Sequence, residues 1–124
     1  MSYDVAEPFE IRVHKNGHTA VLEFYGEFDL ATAEEAADAF AEVVASGPTT
    51  IVVNLHNLEF MDSSGVKCLY RAKGLADQAG VRLAILDGSG PPHRLLSMID
   101  APEAFEIVDD LASLVDPPVA PSTS

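Results

Sequence analysis

Cysteine and cations are both scarce in this chain: of 124 residues one is cysteine, and seven lysines and arginines face twenty aspartates and glutamates. With Cys68 alone, no intramolecular disulfide can form. The formal net charge of −13 repels nucleic acid and anionic membrane surfaces at long range, and it favours a protein partner with a basic surface. Long apolar runs are missing too. A membrane-spanning helix needs roughly 20 apolar residues, whereas the run from Thr49 to Leu55 is strand-sized. The Met1 end has neither the charged region nor the apolar core of a signal peptide. These absences predict a soluble domain in the cytoplasm, without membrane insertion. What is abundant is apolar sequence, 48% of the chain, enough for one compact domain with a real core.

Phe9, Ile11 and Val13 alternate with polar residues, and after Asn16-Gly17 a second alternation runs through Ala20, Leu22 and Phe24. The pattern predicts a hairpin. With Asn16-Gly17 as its two-residue loop, Val13, Ile11 and Phe9 lie opposite Ala20, Leu22 and Phe24, all on one face. The bend Gly26-Glu27-Phe28-Asp29-Leu30 follows. Thr32 and Glu35 have capping-box spacing, and Leu30, Ala33, Ala36, Ala37, Phe40, Val43 and Val44 mark a helix that ends at Gly47-Pro48. Thr49 to Leu55, nearly all β-branched or apolar, reads as the central strand.

A second helix is marked by Val66, Leu69, Tyr70, Ala72, Leu75, Ala76 and Ala79, closed by Gly80 as its C′ residue. Val81 to Leu86 reads as a buried strand, Pro91 to Ile99 as a short helix, Phe105 to Val108 as an edge strand, and Asp109 to Leu114 as a last helix. The order is ββαβαβαβα. Because strand–helix–strand crossovers give parallel neighbours, the expected fold is a single small α/β domain. Its mixed sheet carries an antiparallel N-terminal hairpin and parallel strands, covered by helices. Residues 1–8 are set apart as an N-terminal extension and 9–115 as the domain. The tail 116–124, rich in proline and serine, lacks the apolar period needed to order it.

Between the central strand and the second helix lies Leu58-Glu59-Phe60-Met61-Asp62-Ser63-Ser64-Gly65, an apolar strand-like segment that ends in a polar turn and opens a helix. Free N–H groups and the macrodipole make such a helix start tolerant of negative charge. The hairpin, the Gly26-Glu27-Phe28-Asp29 bend, the strand Ile51 to Leu55 and the Phe60-Met61-Asp62-Ser63-Ser64-Gly65 turn, in that order, resemble the STAS domain family. More narrowly they are similar to bacterial anti-sigma-factor antagonists. The resemblance runs from about Phe9 to about Leu114.

The resemblance implies a partner switch and no enzymatic activity. The unmodified domain would bind an anti-sigma factor that is itself a serine kinase, freeing a sigma factor for transcription; phosphorylation by that kinase would end binding, and a separate serine phosphatase would restore it. By motif position Ser63 would be the acceptor, with Ser64 second. Asp29 would support kinase binding, alongside Asp62, Ser63, Ser64, Gly65 and Lys67. Each residue also has a plainer reading. Asp62 is a natural N-cap, Ser63 and Ser64 are ordinary turn hydroxyls, and Asp29 is a loop carboxylate ahead of Thr32. Lys67 departs from the small or aliphatic residue usual there, and one helical turn from Ser63 it could pair with a phosphate in its own chain.

Other chemistry finds little footing. Ser63 lacks a Gly-x-Ser-x-Gly elbow and a placeable histidine base. His14 and His18 fall on opposite faces of the hairpin, so no metal site is expected. Gly88-Ser89-Gly90 lacks the remaining glycine and lysine of a phosphate-binding loop and reads as a flexible loop. No cofactor is implied, and Cys68 reads as a small buried hydrophobe. The rival functions are a non-switching STAS subunit of a larger assembly, such as a lipid-transport complex or stress-signalling scaffold, and, ranked last, a small-ligand or nucleotide sensor.

Overall fold

The ten-residue strand Thr19–Phe28 organises the sheet, because its strict alternation sends Ala20, Leu22, Phe24 and Phe28 inward with none of their surface exposed. The computed structural model describes residues 8–99 and 105–108. In chain order these form β1 (Glu10–Asn16), β2 (Thr19–Phe28), α1 (Ala33–Ala45), β3 (Thr50–Asn54), β4 (Leu58–Met61), α2 (Ser63–Ala79), β5 (Arg82–Leu86), α3 (Pro91–Met98) and β6 (Glu106–Val108). The sheet runs β1-β2-β3-β5-β6, with β4 also paired to β2. Only β1 and β2 are antiparallel; all other pairs are parallel. The mixed sheet expected from the sequence is therefore present, and β6 lies at its edge. The last expected helix, 109–114, and the tail 116–124 lie outside the described residues.

The hairpin register differs from expectation by two residues. Asn16 stays in the strand opposite Thr19, so Val13 faces Leu22 and Ile11 faces Phe24. The loop is Gly17-His18, with Gly17 at φ +65°, a left-handed conformation that favours glycine at the first position of a tight hairpin turn. Since side chains alternate with period two, a slip of two keeps every residue on its expected face. Its cost falls at the hairpin end, where Val13 is left 43% exposed.

β3 and β5 pair at Ile51 with Leu83 and Val53 with Ile85. These four side chains join the main core, together with Phe40 and Val43 of α1 and Leu69, Ala72 and Ala76 of α2. On the opposite face Val52, Ala84 and Leu86 form a second buried cluster with Val21 and Val108 packed on it. Burial on both faces explains why β3 and β5 read as continuous apolar runs rather than alternations. Phe24 holds the aromatic centre of the core, with ring centroids 5.0 Å from Phe28, 5.7 Å from Phe40 and 5.9 Å from Phe9.

Two helix expectations need correction. Leu30 is not on the core face of α1; it precedes the helix and is 78% exposed. In α2 the buried stripe is Gly65, Val66, Cys68, Leu69, Ala72 and Ala76, while Tyr70, Leu75 and Ala79 lie outside it. The helix ends as expected at Gly80, φ +73°, whose left-handed turn lets the Val81 N–H donate to the Ala76 carbonyl at 2.8 Å.

The element missing from the expected order is β4. Its pairing with β2 slips between Gly26 and Glu27: Gly26 faces Leu58, but Glu27 faces Phe60. Glu59 is thus an extra residue, a bulge that turns Leu58 and Met61 inward together while Phe60 faces out. Phe24→Ala should lower unfolding free energy by about 3–5 kcal/mol, and Val13→Thr should change it by less than about 0.5 kcal/mol. Urea denaturation followed by circular dichroism measures both.

Candidate functional site

β2 and β4 end on the same rung. Phe28 and Met61 are register partners, and the residue that follows each strand is an aspartate, so Asp29 and Asp62 leave the sheet side by side. The Asp62 N–H donates to the Phe28 carbonyl at 3.2 Å, extending the ladder by one bond. Residues far apart in sequence, the Gly-Glu-Phe-Asp bend and the Asp-Ser-Ser-Gly turn, are thereby brought together at the carboxyl end of parallel strands. In open α/β sheets that end is where binding residues gather.

Each carboxylate organises the chain that follows it. Asp29 Oδ1 accepts from the N–H groups of Ala31 at 3.0 Å and Thr32 at 3.3 Å. Asp62 Oδ1 accepts from Ser64 N–H at 2.8 Å and Gly65 N–H at 3.3 Å, as an N-cap should. The capping box expected from Thr32 and Glu35 does not form. The Thr32 hydroxyl instead accepts from Asp29 N–H at 3.0 Å and donates to the Glu27 carbonyl at 2.9 Å, which locks the bend rather than the helix.

Gly65 is where the two halves touch. A Cβ there would lie 2.9 Å from Met61 Cγ, 2.9 Å from the Phe28 carbonyl oxygen and 3.1 Å from Phe28 Cδ2. Only a residue without a side chain lets the first turn of α2 settle on the paired strand ends. Gly65 is buried and presents no side chain to a partner. Ser63, at the first helical position, is exposed; Ser64 is half-buried with its N–H held by Asp62; Lys67 projects into solvent one turn on.

Two exposed apolar residues at this end were not singled out from sequence as surface groups. Leu30 follows Asp29, and Phe60, 44% exposed, stands opposite Glu27. The bulge at Glu59 hides the Phe60 orientation from any period-two reading. Exposed acids surround them: Glu27, Glu34, Glu35 and Glu59.

Cys68 lies beneath, buried, its thiol donating to the Ala33 carbonyl at 3.5 Å. Burial pushes its pKa up to about 11, against a smaller opposing pull from Arg71. A thiol so protonated at neutral pH is a poor nucleophile.

The loop from β5 to α3 holds a pair that sequence reading missed. Asp87, only 5% exposed, has its carboxylate 2.9 Å from His93 Nδ1. A cavity of about 370 Å³ beside it is lined by His56, Asp87, Gly88, Ser89 and Gly90. The pair spans six residues and ties the loop to the first turn of α3, so the loop is better anchored than its glycines suggested. Among the described residues no group of three metal-binding side chains converges, and no buried side-chain polar atom lacks a partner.

Comparison with known proteins gives this architecture a family. The model of the STAS domain matches residues 10–114, and the chain belongs to that family. It is 30% identical over 101 residues to the anti-sigma-F factor antagonist RsfB of Mycobacterium tuberculosis, spanning 82% of each chain. Among solved structures it is similar to an anti-sigma factor antagonist from Mycobacterium paratuberculosis, with TM-score 0.74, 23% identity, and coverage of 86% of this chain and 90% of that one. It is also similar to SpoIIAA in its unphosphorylated form, with TM-score 0.69, 21% identity, and coverage of 86% and 93%. The phosphorylated form of the Bacillus cell fate determinant SpoIIAA matches at TM-score 0.64, 20% identity, and coverage of 86% and 96%.

Gly65→Ala should cost about 1–3 kcal/mol by overpacking, and Asp62→Ala about 1 kcal/mol through the lost cap; chemical denaturation reads both. Folded Cys68 should resist iodoacetamide at pH 8 and react fast in urea. Since the folded thiol holds its proton beyond the usual 8.5 of a free cysteine, stability should fall as pH rises from about 8.5 towards 11. Cys68→Ala should flatten that part of the stability profile.

Proposed function

We propose that this chain is an anti-sigma-factor antagonist, a binding module rather than an enzyme, switched by phosphorylation of Ser63. The observation that carries the reading is the exposed Ser63 hydroxyl at the start of α2, next to two aspartates that the Phe28–Met61 rung sets side by side. Ser64 is the second choice, since its backbone is already committed to Asp62 and it is half-buried. The names of the relatives support the class of partner: an anti-sigma factor, with sigma-factor release as the consequence. That partner would carry serine kinase activity, and a serine phosphatase would reverse the mark. Both act in the cytoplasm.

In the modifying step the Ser63 Oγ–phosphorus bond forms as the bond from the γ-phosphoryl group to ADP breaks, and the hydroxyl proton passes to a base of the kinase. The phosphate adds about −1.5 to −2 charges. Where Ser63 docks against a carboxylate of the otherwise basic partner, the like charge about 5 Å away costs on the order of 3 kcal/mol per unit charge at an effective dielectric near 20. At about 1.4 kcal/mol per tenfold, one such clash weakens docking a hundredfold or more. Ser63 is exposed although core residues lie directly beneath the turn, so the mark adds no group to the core and the fold survives it.

The partner surface on this side is acidic and apolar, formed by Asp29, Leu30, Phe60, Ser63 and Lys67 with the neighbouring glutamates. Calorimetry with the anti-sigma factor of the same cell tests the reading. Ser63→Ala should bind like the unmodified chain, and Ser63→Asp about a hundredfold more weakly. Incubation with that kinase and ATP, followed by site mapping, should place one phosphate on Ser63. Equal affinity for both variants, or a complex indifferent to ATP, would instead favour a permanent STAS subunit of a larger assembly.

A further inference from the structure

The start of α2 has little backbone left to offer a phosphate. Asp62 Oδ1 already accepts from the Ser64 and Gly65 N–H groups. A dianion on Ser63 could take those donors only by expelling Asp62, whose own charge repels it at close range. Compensation therefore has to come from a side chain, and the chain has only seven lysines and arginines.

Three of these are engaged elsewhere: Arg12 pairs with Glu10 and lies over the Tyr25 ring, Lys73 pairs with Asp77, and Arg82 pairs with Glu106. Lys15 stands beside the hairpin loop, at the end of β2 opposite to Phe28. Arg71 is two helical turns from Ser63, about 12 Å along the axis. Arg94 is on α3. Lys67 is one turn from Ser63 on the same face, about 6 Å along the axis. It is exposed and has no ion-pair partner among the described residues.

We infer that Lys67 is the built-in counter-charge for a phosphate on Ser63, available to a docking partner before modification and drawn to the phosphate afterwards. The inference rests on the reading of Ser63 as the acceptor. It assigns phosphorylation two effects on the interface: an anion appears, and a cation is withdrawn. Lys67 also lowers the pH at which the phosphate becomes fully dianionic, so the second charge is more nearly complete at neutral pH.

The test needs neither kinase nor anti-sigma factor. Phosphoserine is incorporated genetically at position 63 of the full chain, and the phosphorus resonance is titrated from pH 4.5 to 8 by NMR. Lys67→Ala should raise the second ionisation of the phosphate, weakening its acidity about two- to threefold, as expected for a one-turn ion pair at an exposed site. Lys67→Arg should restore it, Arg71→Ala and Arg94→Ala should leave it unchanged, and 1 M salt should erase the Lys67 difference. An unchanged titration in Lys67→Ala, or a shift in Arg71→Ala or Arg94→Ala instead, overturns the inference while leaving the proposed switch standing. Failure of the switch itself shows separately, in the calorimetry of Ser63→Asp.

Discussion

The close seating of Gly65 on the Phe28–Met61 rung is the constraint from which the rest of the site follows. Phe28 and Met61 are adjacent because β2 runs past the end of β3 and takes β4 as its next parallel partner. Their side chains are buried under α2, and the 2.9 Å approach to the Gly65 position leaves no room for a methyl group. With that contact made, Asp29 and Asp62 emerge together, each carboxylate folds its own loop, and Ser63 is carried to the surface on the first turn of a rigid helix. A side chain on the end of a helix, braced from below by aromatic and sulfur side chains, is held more precisely than one on a free loop.

The same arrangement divides labour between neighbouring residues. Asp62 and Gly65 build the turn, Thr32 locks the bend that carries Asp29, and only Ser63, Lys67, Leu30 and Phe60 are left with surface to offer. Two apolar groups among acids, with one hydroxyl and one lysine, make a surface suited to a basic partner with an apolar contact zone. The proposed phosphate on Ser63 would change that surface while adding no group to the core. The acidic excess of the whole chain acts in the same direction, steering cationic surfaces in and nucleic acid away.

Much of this was legible in the residues. The alternation of β2 and the apolar runs of β3 and β5 report directly whether one or both faces are buried, and Gly80 marks the end of α2 through its left-handed turn. The Asp62 cap was legible because side-chain capping is local chemistry. Three things were not. The hairpin loop moved by two residues because Asn16-Gly17 and Gly17-His18 both offer a glycine in the turn, and parity leaves the core face unchanged either way. β4 was read only as a strand-like segment and left out of the element order, because the Glu59 bulge breaks the period-two pattern on which strand recognition depends. Thr32 was read as a helix cap, yet its hydroxyl bonds backward to Glu27 and Asp29, a choice made by the bend and not by spacing.

Composition and pattern alone determined that this is one acidic α/β domain with an N-terminal hairpin, a buried parallel centre and a polar turn opening its second long helix. Those properties depend on period, charge and local backbone preference, which are written residue by residue. Only tertiary structure decided that Asp29 and Asp62 are neighbours, that Gly65 is a packing requirement, that Leu30 and Phe60 face solvent, and that Asp87 is buried against His93. Each of these arises from contact between segments distant along the chain or from a bulge that resets which face a side chain occupies. A linear pattern carries no term for either.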